Sequence, residues 1–594
     1  MFQRLVVILA LFLLNTSSFA FTRINAPNPD DPMDVHIYQL ENGLTIYLTE
    51  NHEEPQFHAE IVVRAGSKND PKETTGLAHY LEHLLFKGTQ QIGTIDYVKE
   101  KPYLDQITEL YEAHYKEKDP DKRKTIYAQI NDISQKAAQY AIPNETDKLY
   151  KAMGETWFNA HTWYEETVYN VTLPSNRLEQ WATIESDRFQ SPVFRLFQSE
   201  LEIVYEEKNQ TLDDKDELVY DAIGKLLFKK HPYGQQTTIG EAEHLKNPSL
   251  KNIYEFYDTY YVPNNMAICI SGDIDIDETI QTLDQSFSIW QKKALPKPKI
   301  YKEKDLKNIE RDTVRFQGEE KVQIGFRTAP NNHKDTEALI LIDMLLDNAT
   351  AGLINLNLVQ KQTVRDAGSE PLFLNEYGVQ YLWGIPKEGQ TLSDVEQLLL
   401  SQIGIIQRGE FDANLLSAIV TDFKKSQKRA LESNRSRVTQ LREAFISETE
   451  WDEAVAKIQR LEKITKTDII RVANQYFGQG YAVVYRIDAQ HQLPKIEKPD
   501  LAKVELDPTR QSILAQKILS IPTVSIAPVY ITDKDYQIVD IQNGLKLYHT
   551  QNPINDLFTL TISVDIGTYQ NNKLGMAKAL MDKSGAGDLT SETI

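Results

Sequence analysis

The stretch that decides the fold reads TTGLAHYLEHLLFKGT and spans residues 74–89. It carries two histidines and a glutamate in the spacing H-x-x-E-H, among leucines typical of a buried helix. On a helix, positions i and i+4 lie on one face, so His79 and His83 can point at one ion. Glu82 can reach a water beside that ion, and this set of groups fits Zn²⁺ and water activation. The alternative is an amphipathic helix whose histidines simply face solvent.

A catalytic zinc usually has three protein ligands, so this interpretation requires a third one. The segment FQSELEIVYEEKNQTLDDKDE, which begins at residue 197, has apolar residues at a helical period and is rich in acids. Glu200 and Glu207 are seven residues apart and share a face, whereas Glu202 and Glu206 form a separate pair. Taken alone, the segment also fits an acidic helix face exposed to solvent.

The combination of these segments resembles the pitrilysin/insulinase family of inverted zinc metallopeptidases, in its secreted bacterial form with two copies of the module. The resemblance rests on GLAHYLEHLLFKGT and on a downstream helix that is similar to the family's pattern E-x-x-V-V-x-x-E, with Ile203 and Val204 as the apolar pair. It extends through NAHTWYEETVYNVTLP, ESDRFQSPVF, HPYG with TTIGE, and YVPNNMAICISGDID, in the same order. It implies one Zn²⁺ per chain, with Glu207 as the third ligand beside His79 and His83, Glu82 as the catalytic base, and Glu200 as a supporting carboxylate. Glu206 is the rival ligand, because a shift of one residue would exchange it with Glu207.

The resemblance also implies a fold, an activity and a substrate. The fold is α+β, built of duplicated modules of mixed β-sheet with flanking helices. The activity is that of a zinc metalloendopeptidase on peptides or unfolded polypeptide segments, whose backbone pairs with the strand that carries Asn159 and Ala160. Two alternatives are a catalytically incompetent scaffold or partner subunit of the same fold, and a metal-dependent hydrolase acting on something other than peptides.

The chain divides into several predicted regions. Residues 21–290 form the catalytic domain, 291–310 a Lys- and Pro-rich linker, 311–490 a second, non-catalytic peptidase-like domain, and 491–530 another linker. His83 and Glu207 are 124 residues apart, longer than is usual in the family. Two helical patterns at about 99–148 account for the excess as an inserted helical hairpin, which changes sequence distance without moving the ligands in space.

The last region repeats the first. IYQLENGLTIYLTEN begins at Ile37 and IVDIQNGLKLYHTQN at Ile538, with Asn-Gly pairs at an offset of 501 residues. In the second copy the motif positions are occupied by Lys578, Met581 and Asp582. We therefore expect residues 531–594 to be the truncated start of a metal-free copy. A C-terminal half or a partner chain would complete it.

The N-terminus and the composition limit where the protein is located and what it binds. Residues 1–20 have a basic residue, an apolar run and a small-x-small end, which is typical of a signal peptide, although an uncleaved anchor is the alternative. We expect a periplasmic or secreted protein with no stable membrane span after signal removal. The net charge of −21 argues against nucleic acid as a partner. Cys269 is the single cysteine, which excludes an intrachain disulfide.

Overall fold

The computed structural model describes residues 20–348, 351–491 and 506–584. The first of its sheets has seven strands: β1 (Phe21–Arg23), β2 (His36–Leu40), β3 (Thr45–Glu50), β4 (Gln56–Val63), β5 (Trp157–Thr162), β6 (Thr167–Pro174) and β7 (Met266–Gly272). Their spatial order is β1-β2-β3-β7-β4-β6-β5. Strands β3 and β7 pair in parallel, and the other neighbours are antiparallel. The strand β5 therefore lies at an edge of the sheet.

Eleven helices accompany this sheet in the described chain. They are α1 (Leu77–Leu84), α2 (Tyr97–Lys116), α3 (Pro120–Ala138), α4 (Glu145–Met153), α5 (Leu178–Gln190), α6 (Phe197–Asp213), α7 (Lys215–Leu227), α8 (Pro232–Gln235), α9 (Ala242–Leu245), α10 (Leu250–Tyr260) and α11 (Ile276–Phe287). The motif helix is α1, and α2 and α3 occupy the part of the chain where the sequence predicts an inserted hairpin.

The second sheet has five strands: β8 (Glu310–Phe316), β9 (Lys321–Thr328), β10 (Asp366–Phe373), β11 (Gly378–Ile385) and β12 (Ala482–Asp488). Their order is β10-β11-β9-β12-β8, and β8 and β12 pair in parallel. Its helices are α12 (Thr336–Leu346), α13 (Leu392–Arg408), α14 (Asn414–Ala430), α15 (Asn434–Ile446), α16 (Trp451–Val455), α17 (Lys457–Leu461) and α18 (Lys466–Tyr476). The predicted α+β fold with mixed sheets and flanking helices is confirmed.

The chain after residue 506 contains α19 (Ile513–Leu519), the strand pair β13 (Gln537–Asp540) and β14 (Lys546–His549), and α20 (Leu574–Ser584). The backbone N–H of Ser512, next to α19, donates to Glu145 of α4 at 2.6 Å and so attaches this helix to the first sheet's unit. The predicted signal peptide lies, except for its last residue, outside the described residues, as does most of the first half of the second linker. Among the described helices, none has both the length and the apolar character needed to cross a membrane.

Both Asn-Gly pairs of the repeat form β-hairpins. Strands β2 and β3 pair antiparallel around Gly43, which has a φ of 88°. A Cβ at that position would lie 2.9 Å from the Cβ of Asn264, so the turn requires glycine on both conformational and steric grounds. Strands β13 and β14 pair in the same way around Gly544, whose φ is 82°.

Both faces of the first sheet are covered. On one face, Phe57, Ala59 and Ile61 of β4 pack into a core shared with the motif helix. On the other face, Val62 belongs to a cluster that includes Leu441 and further apolar residues of α15. Because α15 follows the second sheet's strand β11 in the chain, the second unit supplies the cover for the first sheet's outer face.

Candidate metal centre

The motif helix begins at a backbone position fixed by one glycine and one acid. Gly76, just before α1, has a φ of 87°, and a Cβ there would meet the carbonyl oxygen of Ile239 at 2.7 Å. The buried carboxylate of Asp70 accepts hydrogen bonds from the backbone N–H groups of Gly76 (2.7 Å) and Ala78 (3.0 Å). These bonds satisfy donors that the first turn of a helix leaves without partners, and they fix the direction of the helix.

Three side chains converge between α1 and α6. The Nε2 atoms of His79 and His83 lie 3.5 and 3.4 Å from the same oxygen, Oε2 of Glu207. The two imidazole centroids are 4.8 Å apart, and one ligand atom from each of the three residues lies within 4.8 Å of the others. The fold therefore joins residues that are 124 positions apart in the sequence.

The other acids of α6 occupy different positions. Oε2 of Glu200 lies 3.5 Å from Nδ1 of His83, and its other oxygen forms an ion pair with Lys87. Glu200 is buried and Glu207 is half-buried. Glu206, the rival ligand, is exposed and does not belong to the converging group.

Burial and mutual contacts shift the pKa values in this group. Burial lowers the pKa of His79 to about 4, and the neighbouring His83 adds to the effect. For His83 burial also acts downward, but contacts with the carboxylates of Glu200 and Glu207 outweigh it and raise the pKa to about 9. Burial acts to raise the pKa of Glu207, but the contact with His83 outweighs it and leaves that pKa lowered. The carboxylate thus stays ionised, as a ligand must.

The donor set fits a zinc ion. Two imidazole nitrogens and a carboxylate oxygen are ligands that zinc takes in catalytic sites, with a further position open. Oε2 of Glu207 is a buried acceptor without a hydrogen-bond partner among the described residues, although both Nε2 atoms face it. A buried acceptor that is left unpaired is costly, and a bound cation would remove that cost.

Glu82 lies beside this group, next to the sheet edge. Its carboxylate is buried and accepts a hydrogen bond of 2.6 Å from Oγ1 of Thr162, the last residue of β5. Burial raises the pKa of Glu82 above its usual range, partly offset by the Thr162 hydrogen bond. Asn159 is exposed on β5, whereas the side chain of Ala160 is packed in the core, so a ligand at the edge would meet Ala160 through its backbone.

Three residues that the sequence analysis did not single out also contact the site. Lys87 pairs with Glu200 from the 3₁₀ turn (Leu85–Lys87) that directly follows α1, and its closeness in the chain to His83 is the only sequence signal for this contact. Thr162 donates to Glu82, and Asp70 caps α1. Neither of these last two contacts has a local sequence signal, because both depend on how distant segments pack.

Comparison with known proteins points to one family of peptidases. Residues 45–101 match the profile of the insulinase family (peptidase family M16), and residues 248–422 match that of the peptidase M16 inactive domain. The zinc protease PqqE of Helicobacter pylori is 21% identical over 74% of this chain and 89% of its own length. The probable zinc protease PqqL of Haemophilus influenzae is 24% identical over 78% of this chain, but the match spans only 48% of that protein.

Solved structures show the same fold. A protease from Helicobacter pylori superimposes with a TM-score of 0.65 at 21% identity, covering 77% of this chain and all (100%) of that one. The periplasmic protease PqqL from Escherichia coli gives a TM-score of 0.60 at 16% identity, covering 96% of this chain and 62% of that one. The fold is that of the M16 peptidases. The matched profiles and the fold support the pitrilysin/insulinase family, in which the Helicobacter pylori relative is named a zinc protease and the Haemophilus influenzae relative a probable zinc protease.

Proposed function

We propose that this protein is a zinc-dependent metalloendopeptidase that hydrolyses peptides or unfolded polypeptide segments. His79, His83 and Glu207 would hold one Zn²⁺ per chain, and Glu200 would support His83. The observation that carries the proposal is the convergence of these three ligand groups beside a buried carboxylate and an open sheet edge.

The mechanism assigns the proton transfers to Glu82. Bound zinc would supply a Lewis acid that makes water nucleophilic near neutral pH and polarises the scissile carbonyl. Glu82 takes the proton of the attacking water and delivers it to the leaving amine. Its burial favours the protonated form, and Thr162 holds Oε2 in place by donating to it.

The edge strand β5 supplies the substrate interaction. Among the described strands it pairs with β6 alone, with Asn159 opposite Asn170 and Ala160 opposite Tyr169. A peptide that adds to this edge gains backbone hydrogen bonds with little demand on its sequence. Asn159 and the backbone of Ala160 would then contact the substrate close to Glu82.

The proposed location and domain organisation are those that the resemblance to the family implies. We propose a periplasmic or secreted location, which the signal-like residues 1–20 and the periplasmic neighbour from Escherichia coli support. Residues 21–290 would form the catalytic domain and 311–490 the non-catalytic one. Residues 531–594 would begin a metal-free copy that a C-terminal half or a partner chain completes.

The test compares wild type with Glu82→Gln after loading with one equivalent of zinc. The substrates are an unfolded polypeptide and a panel of small esters. We expect one bound zinc in both proteins and peptide cleavage by wild type, reduced about 10²–10⁴-fold in the variant, as for loss of a general base. The matched control is Glu73→Gln, which changes an exposed acid just before the motif helix and should retain activity.

Each other outcome selects an alternative. Zinc binding without cleavage of any substrate would favour a scaffold or partner subunit. Hydrolysis of esters without cleavage of peptides would favour a different hydrolase. Equal cleavage by wild type and Glu82→Gln would remove Glu82 from the mechanism.

A further inference from the structure

The two faces of the edge strand β5 have different surroundings. Ala160 and Thr162 face the first core and the motif helix. Side chains alternate along a strand, so Trp157, Asn159 and His161 share the opposite face. On that face Arg435 of α15 lies over the ring of Trp157, at 4.2 Å from its centroid. The second unit therefore reaches the same strand edge that borders Glu82.

The helix α15 presents two arginines to this face, seven residues apart and hence about two turns along the helix. Arg442 is largely buried and pairs with Glu60 at 3.1 Å and Glu166 at 3.5 Å. Glu166 also lies 3.1 Å from Nε2 of His161. The charges at this end of β5 are thus matched within the protein.

Arg435 at the other end is different. It is exposed, and no carboxylate among the described residues forms an ion pair with it. The chain has 86 acidic side chains against 65 basic ones, so acids are not scarce. Its contact is the indole of Trp157, which is itself 38% exposed. The cation–π contact holds the guanidinium at the indole, and an exposed guanidinium held in this way can still donate to a planar acceptor.

We propose that Arg435, seated on Trp157, is a specificity-determining residue that selects an Asp or Glu side chain in the bound peptide. This inference rests on the proposed function, because it requires a peptide to add to the β5 edge. Trp157 is five residues before Thr162, a distance of about 17 Å along the strand. The acidic residue would therefore lie three to five positions from the scissile bond, on one side of it, with its side chain on the α15 face. A carboxylate there accepts two parallel N–H groups from the guanidinium.

The test uses otherwise neutral peptides in which a single Glu, or its uncharged match Gln, is moved through two to six positions on each side of the cleaved bond. The readout is the ratio of kcat/KM for the Glu peptide to that for the Gln peptide. For wild type we expect a ratio of about three to ten at one position, falling at high salt. Arg435→Gln and Trp157→Leu should both bring the ratio to about one. Arg315→Gln, which removes an exposed charge from β8, should leave it unchanged.

The same peptides are also titrated by fluorescence anisotropy against the Glu82→Gln protein, with and without Arg435→Gln. If wild type cuts no peptide but binding keeps an Arg435-dependent preference for Glu, the peptidase proposal fails and the specificity site stands. If peptides are cut with no preference at any position, or the preference survives Arg435→Gln, the specificity site is refuted and the peptidase proposal stands. If peptides are neither cut nor bound, both proposals fail.

Discussion

Replacement of Glu207 by glutamine tests the proposed metal centre most directly. The change keeps the size of the side chain but removes the charge of the one carboxylate that both imidazoles face, at 3.5 and 3.4 Å. Glu200 is not positioned to replace it, because its nearest contact in the group is Nδ1 of His83, on the far side of that ring from Nε2. The variant would retain two neutral nitrogen ligands.

The expected loss of zinc affinity follows from the number of protein ligands. Zinc sites with four protein ligands bind with about 10–16 kcal/mol, or about 2.5–4 kcal/mol for each ligand. Loss of one ligand should therefore weaken zinc binding about 10²–10³-fold. The loss should not be complete, because the amide oxygen of glutamine remains a weak donor.

The assay is competition for zinc against a chromophoric chelator at neutral pH. The matched control is Glu206→Gln, which makes the identical chemical change one residue earlier, on an exposed part of α6. We expect the control to bind zinc within about twofold of wild type, as for exposed charges. Weaker binding by Glu206→Gln together with normal binding by Glu207→Gln would refute the ligand assignment. It would indicate that Glu206, and not Glu207, is the third ligand.

Two further predictions concern the support of the site. Asp70→Ala leaves the N–H groups of Gly76 and Ala78 unpaired, so the zinc-free protein should lose about 1–3 kcal/mol in denaturant unfolding; no loss would show that α1 does not depend on this cap. Arg442→Met leaves the buried Glu60 without its cation and should cost about 3–5 kcal/mol near neutral pH. Burial acts to raise the pKa of Glu60, but contacts with His58 and Arg442 outweigh it and lower that pKa. The Glu60–Arg442 pair therefore adds to the free energy of unfolding above the ordinary carboxyl pKa, and this contribution is lost as the pH falls through the lowered pKa. The deficit of the variant should shrink in acid, and a deficit independent of pH would contradict this account.

The parts of the site that lie on single helices could be predicted from the sequence. The helical period alone puts His79 and His83 on one face, and it also pairs Glu200 with Glu207. In the structure those two acids of α6 face the imidazoles, while Glu206 is exposed. The Asn-Gly turns were equally visible, because they are determined by residues adjacent in the chain.

Contacts between distant segments could not be predicted in this way. Asp70 caps a helix that begins at Leu77, and Thr162 reaches Glu82 from a strand 80 residues away. Neither residue has a periodic pattern that singles it out. The sequence analysis also did not predict that α15 covers the sheet. The strand β4, QFHAEIVV, ends in three consecutive apolar residues, which was the available signal. Such a run is typical of a strand that is buried on both faces.

The burial of this sheet on both faces makes the first unit depend on the second. Without α15, the outer face of the first sheet would expose Val62, Val168 and the strand β7 around Cys269, all of which pack against it. Exposure of several fully buried side chains costs about 1.5–3 kcal/mol for each large one, a sum comparable to the stability of a whole domain. The first unit therefore depends on a helix of the second, and that same helix places Arg435 at one end of β5, the strand whose other end contacts Glu82. A change in the second unit should thus alter the stability of the first unit and, under the two proposals above, its choice of peptide, although the described part of the second unit contains no metal-binding group of its own.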